Sequence, residues 1–450
     1  MKTITPEESR RLISEGGSQT HEQRMNVAQD RLRELVTFAK ERSPYFKKAY
    51  GGIKENYRLA DLPITTKSGL MENYEEWVTD PEIKLSELRN YLSDIKNIAE
   101  LYLNRYTAIT TSGTTGEPMP MVRDSYRNTI HGSLIETRLF RGLNPKDINP
   151  AVVKTASVIT ASGFVSSYSS ALRMKHRLGE FSDNFEIFSL LTPIDELVER
   201  LNAHDPKLLT GYPSVLTVLA KEKLRGALKI EPRVIASSAE ALSVKMFENL
   251  RQAFNCPVLN NYCSTEGGEI AMSCPYGHLH INEDWVLIEP VDDDGRPVKQ
   301  GEWSSAVLMT DLTNYVQPII RYHVNDCVRI IEQPCECGSN LPIIEISGRM
   351  GDALCFNEKI VAFLVLYCFL TEVCALLKWQ LIQTAANTLE VRFTEADGAD
   401  RTSVGAEVAE ALKTSLKKYG CGDVDIVISD EDFIKAKGGK VPYVIQGSRT

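Results

Sequence analysis

Residues 110–118 read Thr110-Thr111-Ser112-Gly113-Thr114-Thr115-Gly116-Glu117-Pro118. Small hydroxyl residues with two glycines let backbone N–H and side-chain O–H groups converge on a phosphate. Glycine allows the close approach and the positive φ such a loop needs. No Gly-Lys-Ser/Thr follows, so the stretch is not a Walker loop. An ordinary Ser/Thr/Gly turn is the plainer alternative.

Outward from this loop, from about 105 to 350, short strand-like runs alternate with longer amphipathic ones. Ala151–Val153, Leu208–Thr210, Val234–Ala236 and Val258–Asn260 read as strands, Pro213–Leu224 and Ser243–Phe254 as helices. That alternation predicts an α/β fold with substantially parallel sheets. Upstream, residues 22–50 carry apolar positions near a 3.6-residue period, and Ser43-Pro44 breaks the pattern. From Trp285 the texture turns to close-spaced strands: Trp285–Glu289, Ser305–Thr310, Val328–Ile331 and Ile343–Ile346. After Asp352 comes a module read as helix (359–377), strands (Trp379–Gln383, Leu389–Phe393), helix (Val404–Lys418) and strand (Val424–Ile428). The expected architecture is a large N-terminal domain, 1–351, of layered α/β sheets with a β-rich subdomain at about 285–350. A hinge joins it to a small C-terminal α+β domain, 352–450.

The chain of 450 residues is 43% hydrophobic and 25% charged, ordinary for a globular enzyme. Lys and Arg number 51 and Asp and Glu 60, a net charge of −9. Such a balance gives no global attraction to nucleic acid or anionic lipid, so an anionic substrate needs a local site. The polar start Met1–Glu8 has no apolar signal core, and the expected location is cytoplasmic. The most apolar run, Ile360–Leu377, is interrupted by Thr371 and Glu372 and reads as a buried helix rather than a membrane span. The ten cysteines read as reduced thiols, some of them metal ligands.

Further motifs follow in order. Asn260-Asn261-Tyr262-Cys263-Ser264-Thr265-Glu266-Gly267-Gly268 sets a carboxylate among hydroxyls and glycines, a set that suits Mg²⁺ on phosphates. Then come Thr310-Asp311-Leu312, Pro318–Asp326, Ser347-Gly348-Arg349-Met350-Gly351-Asp352 and Lys437-Gly438-Gly439-Lys440. Cys274-x5-His280 with Cys335-x-Cys337 offers four ligands of a closed, structural zinc site, with His278 as the alternative nitrogen.

In this order the motifs resemble the adenylate-forming superfamily of acyl-CoA synthetases, most closely its phenylacetate-CoA ligase branch. Ser43–Lys48, Leu62–Lys67, Gly211-Tyr212-Pro213-Ser214 and Ser237-Ser238-Ala239-Glu240 resemble that branch's other signatures. The resemblance implies that Ser112, Gly113, Thr114, Thr115 and Gly116 embrace the ATP phosphates and Glu266 holds Mg²⁺. Ala239 and Glu240 would flank the adenine, with Tyr262 near it and Ser264 and Thr265 among the nucleotide contacts. Asp326 and Arg349 would bind the ribose, Asp352 would be the hinge, and Lys440 would meet carboxylate and α-phosphate. Phe164, Tyr168, Tyr212, Pro213 and Ser237 are expected around an apolar slot for an aromatic acid. The implied reaction makes an acyl-AMP and passes the acyl group to coenzyme A. One departure bears on that acceptor. Asp352 is followed by Ala353-Leu354-Cys355-Phe356 without glycine, and Leu354 and Phe356 are expected to fill part of the pantetheine channel. An amine, hydroxyl or carrier as acceptor is the alternative. A nucleotide-binding regulator without catalysis is the rival from another class, and Lys440 weighs against it. The expected partner is a small carboxylic acid, with a homodimer left open.

Overall fold

The computed structural model describes residues 2–111, 118–161, 163–349, 353–356, 359–362, 365–366, 369–370, 372–434 and 444–446. Two helices, Pro6–Ser18 and His21–Arg42, open the chain. Thr20 starts the second with a reciprocal cap: its hydroxyl accepts from Gln23 N, and Gln23 Oε1 accepts from Thr20 N. The expected break at Ser43-Pro44 is present, and Ser43 caps a new helix, Pro44–Ala49. Arg24 is fully buried on the second helix, and its Nε lies 2.6 Å from Glu283 Oε1, which fastens the helices to the body of the protein.

A nine-stranded sheet forms that body. Its spatial order is Asp326–Ile331, Ile343–Arg349, Leu279–Ile281, Gly268–Ser273, Val258–Ser264, Val234–Ser238, Leu208–Gly211, Thr155–Ile159, Phe185–Ser189. From Phe185–Ser189 to Val258–Ser264 every pairing is parallel. Beyond Val258–Ser264 every pairing is antiparallel. Crossover helices cover the parallel half, and its strand Thr155–Ile159 is buried throughout.

Three expectations need correction. The strand expected at Ala151–Val153 begins later, at Thr155. Val152 N and Val153 N both donate to Asn149 O, so the apolar triplet closes a turn, and Val152 is exposed. The strands expected to form one β-rich subdomain are divided between two sheets. Val286–Val291, Ala306–Asp311 and Tyr322–Val324 form a separate three-stranded sheet. Asp326–Ile331 and Ile343–Arg349 instead extend the large sheet, because Ile343 and Ile344 pair with His280 and Leu279. The helix expected at 359–377 starts as a strand, and the helical residues described in that range are 365–366 and 369–370. Lys359–Ala362 pairs antiparallel with Ala353–Phe356, as the β-branched Ile360-Val361 favours.

Toward the C-terminus, Asp425–Ser429, Thr388–Glu395, Leu376–Ala385 and Val444–Gln446 form a four-stranded sheet in that order. Helix Arg401–Lys418 packs Val404, Val408 and Leu412 into the same core as Leu381 and Val391. Leu354 and Phe356 are buried in this cluster too, so they fill the C-terminal core and not a channel. The last strand runs parallel to Leu381–Gln383. Beside it, Gln380 Nε2 donates to Ile434 O at 2.9 Å, and Ile434 N donates to Gln380 Oε1 at 2.9 Å. Lys418 Nζ donates to Thr192 O at 2.8 Å and to Leu190 O, and burial pushes this amine down to about 8. Among the described residues no helix is long and apolar enough to cross a membrane.

Candidate active site

The site gathers where the sheet changes from parallel to antiparallel, at the carboxyl ends of the parallel strands, as open α/β sheets favour. The hydroxyl-rich loop hangs between strands Thr107–Thr110 and Pro120–Arg123, which pair antiparallel. Its roots are cross-tied: Thr111 N donates to Met119 O at 3.1 Å, and Met119 N donates to Thr111 Oγ1 at 2.9 Å. Ser112, Gly113, Thr114, Thr115 and Gly116 lie outside the described residues, as do Asp352, Lys440 and the side chain of Arg349.

A cleft of about 1820 Å³ opens beside these roots. Thr111, Ala239, Glu240, Tyr212, Tyr262, Ser264, Thr265, Glu266 and Asp326 all line it. Four residues expected around the acid lie off its wall. Phe164 is buried against Tyr91, its ring centroid 6.1 Å away, and Tyr168 packs on the core beneath the parallel strands. Pro213 begins its helix inside the protein, and the Ser237 hydroxyl donates to Leu259 O at 3.1 Å.

Ala239 holds a φ of +70°, which costs a non-glycine residue about 1–3 kcal/mol. Glu240 follows it, and its carboxylate accepts from Ser214 N at 3.0 Å and Ser214 Oγ at 3.1 Å, at the start of helix Pro213–Leu224. A carboxylate at a helix N-terminus is favourable and ties the two segments together. Tyr262 OH donates to Asp326 Oδ2 at 2.6 Å, so the expected adenine and ribose residues meet. Glu266 Oε1 accepts from Tyr322 OH at 3.4 Å.

The residues beneath this motif carry no sequence signature. Helix Ser125–Leu134 carries Arg127, whose Nη2 donates to Glu266 O at 2.9 Å and Thr265 O at 3.3 Å. Its Nε pairs with Asp311 Oδ2 at 2.8 Å, and both side chains are excluded from solvent. Asp311 Oδ1 accepts in turn from Thr313 N at 2.9 Å. One turn on, His131 Nδ1 accepts from Glu269 N at 3.2 Å, and its Nε2 lies 3.0 Å from Thr313 Oγ1. Burial and two arginines hold this imidazole well below its usual range, so it is neutral and Nε2–H donates. The signal for these residues was the pairing of Thr310-Asp311 with an arginine after the loop, which spacing alone does not reveal.

Near the opposite edge of the sheet, one ligand atom each from Cys274, His280, Cys335 and Cys337 lies within 4.8 Å of the others. Cys274 Sγ is 3.7 Å from Cys335 Sγ, and Cys337 Sγ is 3.4 Å from His280 Nε2. Tetrahedral zinc with ~2.3 Å sulfur bonds sets sulfurs about 3.8 Å apart, so the quartet fits such an ion. His280 Nδ1 donates to Leu341 O at 2.8 Å, which leaves Nε2 as the ligand atom. The alternative, His278, stands beside the quartet, its Nδ1 3.3 Å from Cys335 Sγ. Burial pushes the Cys274 thiol up to about 12. Gly277, His278 and Leu279 also line the cleft, so the quartet braces part of its wall.

No protein-family model matches the chain. It is 29% identical over 166 residues to Protein CapK of Staphylococcus aureus, covering 36% of this chain and 35% of that protein. The chain therefore spans about a third of that relative's length. It is 21% identical over 361 residues to a phenylacetate-coenzyme A ligase of Thermus thermophilus, covering 73% and 71%. Among solved structures, a 2-hydroxyisobutyryl-CoA ligase in complex with 2-HIB-AMP and CoA in the thioesterification state matches with a TM-score of 0.59. That match has 17% identity and covers 96% of this chain and 91% of that one. The same ligase in the postadenylation state with R3-HIB-AMP matches with a TM-score of 0.57 at 16% identity, covering 92% and 87%. At these identities the structural likeness is one of fold.

Proposed function

We propose, from a chain that has the adenylate-forming fold and resembles the phenylacetate-CoA ligase-like branch, that it is an ATP-dependent, AMP-forming acid ligase. One observation carries the reading: the loop roots, Ala239-Glu240, Tyr262–Glu266 and Asp326 converge on one cleft. A carboxylate oxygen attacks the α-phosphorus of ATP. The bond from that phosphorus to the bridging oxygen breaks, and pyrophosphate leaves with the electron pair. Two anions meet in this step, so the protein's contribution is positioning and charge neutralisation. Ser112–Gly116 hold the phosphates, and Tyr262 and Asp326 orient the nucleoside with Arg349. Glu266 would hold Mg²⁺, which when bound neutralises phosphate charge. ATP–pyrophosphate exchange that depends on an added carboxylic acid is the test. Protein that binds ATP and exchanges pyrophosphate with no acid refutes the reading.

Coenzyme A is the acceptor we favour. Leu354 and Phe356 lie in the C-terminal core, so the bulk that would have narrowed a pantetheine path is absorbed elsewhere. Mass spectrometry of turnover mixtures with coenzyme A or with amines distinguishes a thioester from an amide. Of the four rings that the resemblance sets around an aryl acid, Tyr212 and Tyr262 line the cleft and Phe164 and Tyr168 do not. The C-terminal module would turn about Asp352 between half-reactions.

Lys440 is the lysine proposed to meet the reacting carboxylate and α-phosphate. Lys440→Ala should lower adenylation ~10²–10³-fold, as loss of one charge-stabilising donor does, with ATP affinity largely kept. Normal exchange in that variant would remove the assignment. The Cys274, His280, Cys335 and Cys337 set is proposed to hold one structural zinc per chain. Four protein ligands leave no open position, so the ion would brace the cleft wall and take no part in chemistry. Elemental analysis should find one zinc per chain. Cys335→Ser should lose it and lower the melting temperature, because a closed site contributes folding energy. A fully folded, metal-free preparation would contradict this.

A further inference from the structure

One part of the cleft wall carries Arg123, Ser166, Ser167 and Asn261 together with the carboxyl of Glu269. Arg123 enters it from the last position of strand Pro120–Arg123, facing the first turn of helix Ser166–Arg177. Its Nη2 donates to Thr265 O at 3.1 Å and stands 3.4 Å from Ser166 Oγ. Its Nε is buried without a hydrogen-bond partner. Arg127 nearby is paired with Asp311, whereas Arg123 forms no ion pair with a carboxylate among the described residues. Burial pushes its guanidinium down to about 9, and the charge of Arg127 adds to the fall.

The neighbouring groups add neutral donors to this charge. Ser166, Ser167 and Asn261 line the same region, and Tyr212 OH lies 2.8 Å from Ser167 Oγ. Glu269, the nearby carboxyl, is held by the Asn261 amide, and burial pushes it up toward its neutral form.

We propose that Arg123 is a specificity-determining residue that receives a second anionic group on the acid substrate. The substrate is then a short acid with a carboxylate or similar anion remote from the carboxylate that is activated, and not an aryl acid. This rests on the adenylation reading above. A half-buried arginine with no ion pair among the described residues gains most from a ligand that fills its planar fork, with two parallel N–H···O bonds and charge compensation. A neutral isostere leaves the same guanidinium desolvated and unpaired, which is how a polar site rejects an analogue.

ATP–pyrophosphate exchange with short dicarboxylic acids, their uncharged monocarboxylic isosteres and phenylacetate tests this on the full chain. Arg123→Met and Arg123→Lys are assayed beside it, with ATP affinity measured by calorimetry without acid. The dicarboxylic acids should exceed their isosteres by ~10² in kcat/KM. Arg123→Met should reduce that preference below tenfold through KM and leave ATP affinity within about twofold. Arg123→Lys, which keeps the charge without the fork, should retain part of the preference. Preference for phenylacetate or the neutral isosteres in the unaltered protein overturns the proposal, whether or not Arg123→Met folds. So does an Arg123→Met protein that loses ATP affinity and keeps its acid preference, because the anion is then a phosphate of ATP. Exchange with none of the acids, in protein that binds ATP, refutes adenylation itself.

Discussion

Arg127→Met is expected to cost about 3–5 kcal/mol of stability and to abolish pyrophosphate exchange in the protein that still folds. The side chain is 1% exposed and Asp311 is 0% exposed, so the variant strands a carboxylate with no water to solvate it. Breaking a buried pair from one side is far more costly than removing both charges. Arg127→Met combined with Asp311→Asn should therefore recover much of the loss, because the amide keeps an oxygen for Thr313 N. Activity should not return with stability. Arg127 also fixes the carbonyls of Thr265 and Glu266, and without it the Glu266 carboxylate is no longer placed. Urea unfolding of the two variants is the measurement. A single variant within about 1 kcal/mol of the unaltered protein would show that the pair is not buried in solution.

Gly268→Ala should be nearly as damaging. Gly268 has a φ of +64°, and a Cβ built there would stand 1.5 Å from His131 Cε1. The conformation alone costs a side chain about 1–2 kcal/mol, and a forced core shift adds about 1–3 kcal/mol. The imidazole has little freedom to give way, because Nδ1 accepts from Glu269 N and Nε2 donates to Thr313 Oγ1. Adding His131→Ala makes room for the methyl, so the double variant should be more stable than the sum of the single losses. Thermal unfolding of the four proteins closes the cycle, and strict additivity would place His131 away from Gly268. The preceding Gly267 is under a similar constraint, since its Cβ would come within 2.0 Å of Met309 Sδ.

The architecture was legible where the pattern is local and periodic. Helices His21–Arg42 and Pro213–Leu224 and strands Val234–Ser238 and Val258–Ser264 stand where alternation and caps put them. It was illegible where partners decide. Ile343-Ile344 reads as a strand in any context, and only its pairing with Leu279-His280 assigns it to the large sheet. Ile360-Val361 lies in a run apolar enough for a helix, and the facing strand Ala353–Phe356 makes it a hairpin arm. The candidate site divides in the same way. Tyr262, Glu266 and Asp326 sit on contiguous motifs and meet at the cleft. The cysteine and histidine quartet followed from ligand chemistry, although 61 positions separate Cys274 from Cys335. Arg123, Arg127 and His131 went unnoticed because their meaning comes from Thr265, Asp311 and Glu269, each more than a hundred positions away.

The strand Val444–Gln446 acts as a mooring for the segment that carries Lys440. On one side Ile434 is fixed to Gln380, and on the other Val444 is paired with Leu381, so both ends are held at neighbouring points on one strand. Lys440 lies four positions before Val444, which limits the distance between their Cα atoms to roughly 14 Å even for extended chain. On the role proposed for Lys440, the placement of the strand Val444–Gln446 relative to the phosphates would act as the timing element of the reaction.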